Sequence, residues 1–291
     1  MQRLRTVLDY LHDHLGDKLS VEALAEVAGT SKYHFHRQFT AQFGISVYRY
    51  VQLARFKRAS YQLAYREHQS ILSIALDSGY EGPEAFARAF KQIAGQSPSE
   101  FRMQPDWPQW RRALQPIYEM RKVHMNQQWQ KHDVRIIDVP ETRVAMLEHR
   151  GDPARMGDTI RQFIAWRKSM KLSPAVSATY NILYDDPRET PPEEFRLGIC
   201  AATEREIVAN DAGVVASTIP GGRCAVLRHT GTEDAFGDAV NYLYARWLPE
   251  SGERLRDFPI YCQRVKFFPE VAEHEAVTDI FLPLQRLGNA R

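Results

Sequence analysis

The chain has 291 residues with 44% hydrophobic and 25% charged content, which excludes global disorder and accommodates two domains of ordinary size. Its net charge is +2, but residues 1–112 hold 15 Lys/Arg against 11 Asp/Glu, or +4, which leaves −2 for the rest; basic character is confined to the first third. Three scattered cysteines exclude a zinc ribbon or a disulfide framework, the charged start "MQRLRTVLDYLHDHLGDK" excludes a signal-peptide core, and no apolar run approaches the roughly 18 residues of a membrane span; a cytoplasmic protein is expected.

Short helices follow one another up to about Trp107. Leu4, Val7, Leu8, Leu11 and Leu15 recur at helical spacing before Gly16. Ser20 caps "VEALAEVAG", and "SKYHFHRQFTAQFG" places Phe35, Phe39 and Phe43 on one stripe. Ser46 opens a run of about 22 residues without Gly or Pro. The pattern then repeats: Ser70 precedes "ILSIALDSGY", and "EGPEAFARAFKQIAG" follows, with Ala25, Gly29, Phe35, Phe39 and Gly44 recurring as Ala75, Gly79, Phe86, Phe90 and Gly95. Two helices joined by a tight glycine turn have the proportions of a helix-turn-helix, whose second helix enters the DNA major groove. A connecting helix of that length spans about 33 Å, close to one turn of DNA.

From residue 108 a Trp, Pro and Gln containing stretch reads as a linker (108–132), and strand-like runs follow. "VRIIDVPETRVAMLEHRG" (134–151) matches "VASTIPGGRCAVLRHTG" (215–231) at an offset of 80, and "LGICAAT" matches "TDIFLPL" at 81. Residues 133–287 are therefore expected to form an α+β domain of two pseudo-symmetric modules, about 133–205 and 214–287, behind an all-α domain at 1–107 with two helix-turn-helix units joined by a long helix. A seam between two such modules is a natural ligand cleft.

The stretches "LSVEALAEVAGTSKYHFHRQFTAQFGIS" and "SILSIALDSGYEGPEAFARAFKQIAGQSPSEFR" resemble the DNA-binding domain of AraC/XylS-family transcription regulators. The resemblance implies binding of double-stranded promoter DNA by two recognition helices. Carried over by position, the first presents Lys32, Tyr33, His36, Arg37 and Thr40, with Arg37 placed for bidentate contact to guanine; the second presents Glu84, Ala87, Arg88 and Lys91, where Pro83 departs from the hydrogen-bonding versions of the motif. For each, a solvated helix face is the alternative. His34 and His36 lie about 200° apart on a helix, so "HFHR" cannot ligate one metal, and no metal or cofactor is expected.

"PGGRCAVLRHTG", "YDDPRETPPEEFR", "RWLPESG" and "TDIFLPL" resemble the GyrI-like effector-binding domain, which implies a small-molecule effector, often cationic or aromatic. A cleft lined by Trp166, Tyr180, Tyr184, Trp247 and Tyr261 could stack on such a ligand, the alternative for each Trp being a core anchor. Cys262 and Gln263 stand where multidrug-binding relatives place a glutamate, so a neutral or mildly polar effector is expected; Glu148 is the candidate substitute acid, with a satisfied edge-strand Glu the favoured alternative. RNA polymerase is a further candidate partner. The chain is expected not to be an enzyme, since nothing resembles a Ser/His/Asp set, a phosphate loop or a metal triad; a GyrI-like hydrolase fused to a DNA-binding domain and a constitutive regulator with a vestigial pocket are the alternatives.

Overall fold

The computed structural model describes residues 2–124 and 129–286, in two compact units: 1–126 with Phe268–His274, and 127–267 with 275–291. The ends of both units at 125–128, and of the second expected module at 287, lie outside the described residues.

The first unit is helical: α1 (Gln2–Asp13), α2 (Val21–Val27), α3 (Lys32–Phe43), α4 (Val47–Tyr65), α5 (Ile71–Asp77), α6 (Pro83–Ala94), α7 (Pro98–Met103) and α8 (Trp107–His124). Serine hydroxyls set most of the starts. Ser20, Ser31, Ser46, Ser70 and Ser97 each accept a backbone N–H of the first turn, while α6 begins on Gly82 and Pro83. Left-handed glycines, Gly44 and Gly95, end both second helices of the duplicated pairs. The repeated phenylalanine stripes are buried: Phe35, Phe39 and Phe43 run edge-to-face on α3, Phe39 reaching Tyr50, and Phe86 and Phe90 pack beside Phe56 and Phe101.

Most of the stretch that reads from sequence as a linker is instead α8. Its prolines suggest a break, but Pro108 sits in the first turn, and Trp107, Trp110, Leu114, Ile117 and Met120 bury one continuous stripe that carries the helix through Pro116. Phe268–His274, which fall between the last two strands of the second half in sequence, pack with these helices. Glu273 pairs with Lys57 of α4 at 2.8 Å with both side chains buried, and Phe268 meets the Tyr61 ring edge-on.

The second unit is one antiparallel sheet of eight strands, β1 (Val134–Val139), β2 (Thr142–Arg150), β3 (Thr179–Leu183), β4 (Arg196–Ala202), β5 (Val215–Ile219), β6 (Gly222–Thr230), β7 (Tyr261–Lys266) and β8 (Val277–Pro283), ordered β1-β6-β8-β7-β3-β4-β2-β5. The sequence duplication is a structural pseudo-dyad between β7 and β3. Tyr180 faces Gln263 across that seam, and the shift of 81 turns this pair into Tyr261 facing Ile182, which is also observed. The first strand of each module crosses to the other: β1 pairs with β6 and β5 with β2, with Val139 opposite Gly222 and Ile219 opposite Thr142. Helix α9 (Met156–Ser169) covers one module. In the other, α10 (Phe236–Tyr242) continues through a π-helical turn at Leu243–Trp247 into α11 (Leu248–Ser251). Both cover the same face. Ala145, Leu147, Ile199 and Ala201 pack on Phe163 and Trp166, and Ala225, Leu227, Ile280 and Leu282 on Ala239, Leu243 and Trp247.

Candidate nucleic-acid interface and ligand face

On α3, Phe35 and Phe39 turn inward, so the remaining faces must point out. Lys32, Tyr33, His36, Arg37 and Thr40 are all exposed, Tyr33 at 76% despite its large aromatic ring. Lys32 lies over the Tyr33 ring at 5.4 Å and reaches Glu22 at 3.4 Å, an exposed acid of the preceding helix. On α6, Glu84, Arg88 and Lys91 are exposed and Ala87 is half-buried. The nine contact positions expected from sequence thus fall on the outer faces of the second helices of two equivalent helix pairs. Helix α4, 19 residues and about 28 Å long, joins the pairs. His34 is exposed as well, and among the described residues no group of three or more His, Cys, Asp or Glu could hold a metal ion.

What sets the pairs on α4 carries no sequence signature. Arg55 donates from Nε to the Leu15 carbonyl at 2.9 Å and from Nη2 to the Asp17 carbonyl at 2.8 Å, and its Nη1 reaches the Gly79 carbonyl at 3.5 Å. One guanidinium ties the end of the α1 segment and the turn of the second pair to the connecting helix. Partial burial lowers its pKa from the usual arginine value.

In the second unit the seven residues expected to line a pocket separate by strand alternation. Trp166, Trp247 and Cys262 face the helices: Trp166 packs with Phe163 and Ile199, and Trp247 and Cys262 share one apolar cluster. They are core anchors, because α9 and the α10 segment need bulky apolar side chains to seat on the sheet. Tyr180, Tyr184 and Tyr261 lie on the opposite face with Val144, Met146, Ile182, Cys200, Val226 and Phe281. Glu148 shares that face by alternation with Val144 and Met146, while its neighbour His149 turns to α9 and bonds Thr159 at 2.7 Å. This second cluster draws on strands and on Phe258, in the segment before β7.

The helix-free face is apolar near Tyr261, whose ring stacks on Phe281 at 4.8 Å and whose phenol is pushed up by burial. Its rim is charged. Glu148 is ion-paired to Arg150 at 2.5 Å, Arg196 lies over the Tyr184 ring at 5.3 Å and is held by Asp185 at 3.0 Å, and an adjoining cavity of about 460 Å³ is lined by Arg150, Asp185, Thr190, Glu193, Glu194 and Arg196. Hydrogen bonding to Arg196 holds Asp185 below the usual carboxylate range. A residue pair that sequence reasoning missed lies on the same face: Asp279, buried, accepts from Arg228 Nε and Nη2, both at 2.7 Å. Asp279 alternates in phase with Phe281 within "TDIFLPL", a signal present in the sequence.

Among the described residues no helix is long and apolar enough to cross a membrane. Residues 132–285 match the family of the GyrI-like small molecule binding domain, and residues 24–104 match a helix-turn-helix domain family. The chain is 40% identical over 153 residues, 52% of its own length and 96% of the other's, to the Escherichia coli (strain K12) protein described as "Probable transcriptional regulator YgiV". It is 35% identical over 99 residues to the "Uncharacterized HTH-type transcriptional regulator YbfP" of Bacillus subtilis (strain 168), covering 34% of this chain and 33% of that one. Among solved structures, that of an EcmrR–DNA complex covers 88% of this chain and 84% of its own at 15% identity and a TM-score of 0.45. With duplicated helix pairs of the AraC type ahead of a duplicated sheet module, the chain belongs to the GyrI-like small molecule binding domain family and is a DNA-binding transcription regulator.

Proposed function

We propose that the chain reads promoter DNA with α3 and α6 in successive major grooves and that a small molecule bound on the helix-free sheet face of the second unit controls this. The observation that carries the DNA half is the exposure of every polar position on the outer faces of both second helices, including an aromatic ring, Tyr33, left outside the core. In this reading Arg37 and Arg88 contact guanine edges, His36, Thr40 and Glu84 contact neighbouring base edges, Tyr33 and Ala87 make apolar contacts, and Lys32 and Lys91 hold phosphates. Tyr180, Tyr184 and Glu148 supply the effector face, with Tyr261 as its buried floor. The DNA-reading part is the helical unit, 1–126 with Phe268–His274, and the effector-binding part is the sheet unit, 127–267 with 275–291. The chain acts in the cytoplasm, with RNA polymerase as a second partner at the promoter. It performs no catalysis of its own: Glu148 is engaged by Arg150, and the relatives are named as regulators.

Competitive DNA binding at fixed salt tests the first half. Arg37→Ala and Arg88→Ala together are expected to weaken binding to the selected site by about 2–6 kcal/mol, at 1–3 kcal/mol for each bidentate pair, and to leave binding to random DNA much less affected. Unchanged affinity for the selected site would remove the proposed docking.

A further inference from the structure

The two modules have diverged where they face the ligand surface, and the divergence is polar. In β2 and β4, Glu148 stands opposite Gly198; at the equivalent places in β6 and β8, Arg228 stands opposite Asp279. Ile182 of β3 has Gln263 of β7 as its equivalent. A side chain at Gly198 would meet Met146 Sδ and Ile182 Cβ at 3.2 Å, so the first module closes with apolar atoms the place that the second fills with a carboxylate. The registers line up Arg228, Asp279, Gln263 and Tyr180 on four adjacent strands, β6-β8-β7-β3. Neighbouring strands are about 4.8 Å apart, so the row spans roughly 14 Å, room for a two-ring molecule lying along it.

Within the Arg228–Asp279 pair only the cation faces outward. The Arg228 side chain is 53% exposed and that of Asp279 12%. Asp279 spends both oxygens on Nε and Nη2, which fixes the guanidinium plane and turns Nη1 away from the carboxylate. Gln263 and Tyr180 are half-buried along the same row. Burial raises the Tyr180 phenol further above neutral pH, and its hydroxyl is a proton donor along the row.

Resting on the reading that this face binds the effector, we propose that the effector is an aromatic anion, its acidic group on Arg228 and its ring over the Gln263–Tyr180 stretch. Asp279 acts as a positioning residue, holding the arginine rather than meeting the ligand. A cation-binding cleft needs an outward acid near the seam, and here that acid is covered by an arginine of the same face.

Calorimetric titration of the full chain with three probes that share one ring system and differ in charge, 2-naphthoate, 2-naphthamide and 2-naphthylmethylammonium, tests this. Naphthoate is expected to bind about tenfold tighter than the ammonium probe, the worth of one charge-assisted hydrogen bond, with naphthamide between. The double variant Arg228→Gln/Asp279→Asn, which leaves no unpaired buried charge, is expected to remove the preference and retain naphthamide binding. Gln263→Glu, which leaves the Arg228–Asp279 pair in place, is expected to shift the preference toward the ammonium probe. A tighter ammonium probe in the parent chain, a naphthoate preference that survives the double variant, or no binding of any probe would overturn the proposal. If Tyr180→Ala weakens naphthamide binding while no charge preference exists, only the anion inference fails; if Tyr180→Ala and Tyr184→Ala leave naphthamide binding intact, the effector face itself is wrong.

Discussion

Gly79 is held by two constraints at once. Its φ of +73° lies in the left-handed region, and a Cβ there would stand 2.4 Å from Arg55 Nη2, a group already bonded to the Asp17 carbonyl. Gly44, at φ +71°, has open space around the same position. Gly44→Ala is therefore expected to cost about 1–2 kcal/mol of left-handed strain alone. Gly79→Ala adds displacement of the Arg55 guanidinium and should cost roughly 3–4 kcal/mol in urea unfolding; equal losses in the two variants would show that Arg55 does not lock the turn. The glycine repeat is visible in the sequence as Gly29 and Gly79, and so is the turn. The arginine that makes one of these turns stricter is not, since its carbonyl partners lie 24, 38 and 40 residues away and carry no residue signature.

At the scale of elements, periodicity is a good guide to faces and a poor one to what covers them. The Phe35, Phe39 and Phe86, Phe90 stripes mark the buried sides of α3 and α6, which leaves their exposed outer faces legible from residue spacing alone. Trp166 and Trp247 invite a stacking role because aromatic rings suit both a cleft and a core; only the layer order, with both helices on one face, assigns them to the core. For α8, its prolines argue against the helix and its buried stripe decides for it. The matched histidines of β2 and β6 show how a shared position acquires different electrostatics. His149 uses both ring nitrogens, Nε2 donating to the Asp152 carbonyl and Nδ1 bonding the Thr159 hydroxyl, whereas His229 donates from Nε2 to the Thr232 carbonyl at 2.9 Å and keeps Nδ1 buried with no hydrogen-bond partner among the described residues. Burial lowers the His229 pKa below 6.5 in the folded chain. The unfolded chain then binds more protons in mild acid, so the stability due to neutral His229 is present above pH 6.5 and is lost as pH falls through and below it. Unfolding free energy of the second unit should decline with a slope of at most about 1.4 kcal/mol per pH unit from this group, and His229→Leu should flatten that slope; an unaltered slope would mean that another group governs it.

At the scale of the whole molecule, two internal duplications build the chain: a helix pair that occurs twice in the helical unit, and a sheet module that occurs twice around a pseudo-dyad. Both offsets, near 50 and near 80, are readable from sequence because each copy must satisfy the same packing. Strand exchange between modules is not, because β1 and β2 are adjacent in sequence and look like a hairpin, yet β1 pairs with β6. Nor could local sequence announce that Phe268–His274 pack with the helices, since the buried Lys57–Glu273 pair joins residues from opposite ends of the chain. In the proposed docking one chain places two recognition helices in consecutive grooves. Hydroxyl-radical footprinting of the intact chain on a selected promoter site tests it most directly. Two protected stretches centred about 10 base pairs apart on one side of the duplex are expected; a single protected stretch, or a second that persists in Arg88→Ala while the first is lost with it, would contradict the account.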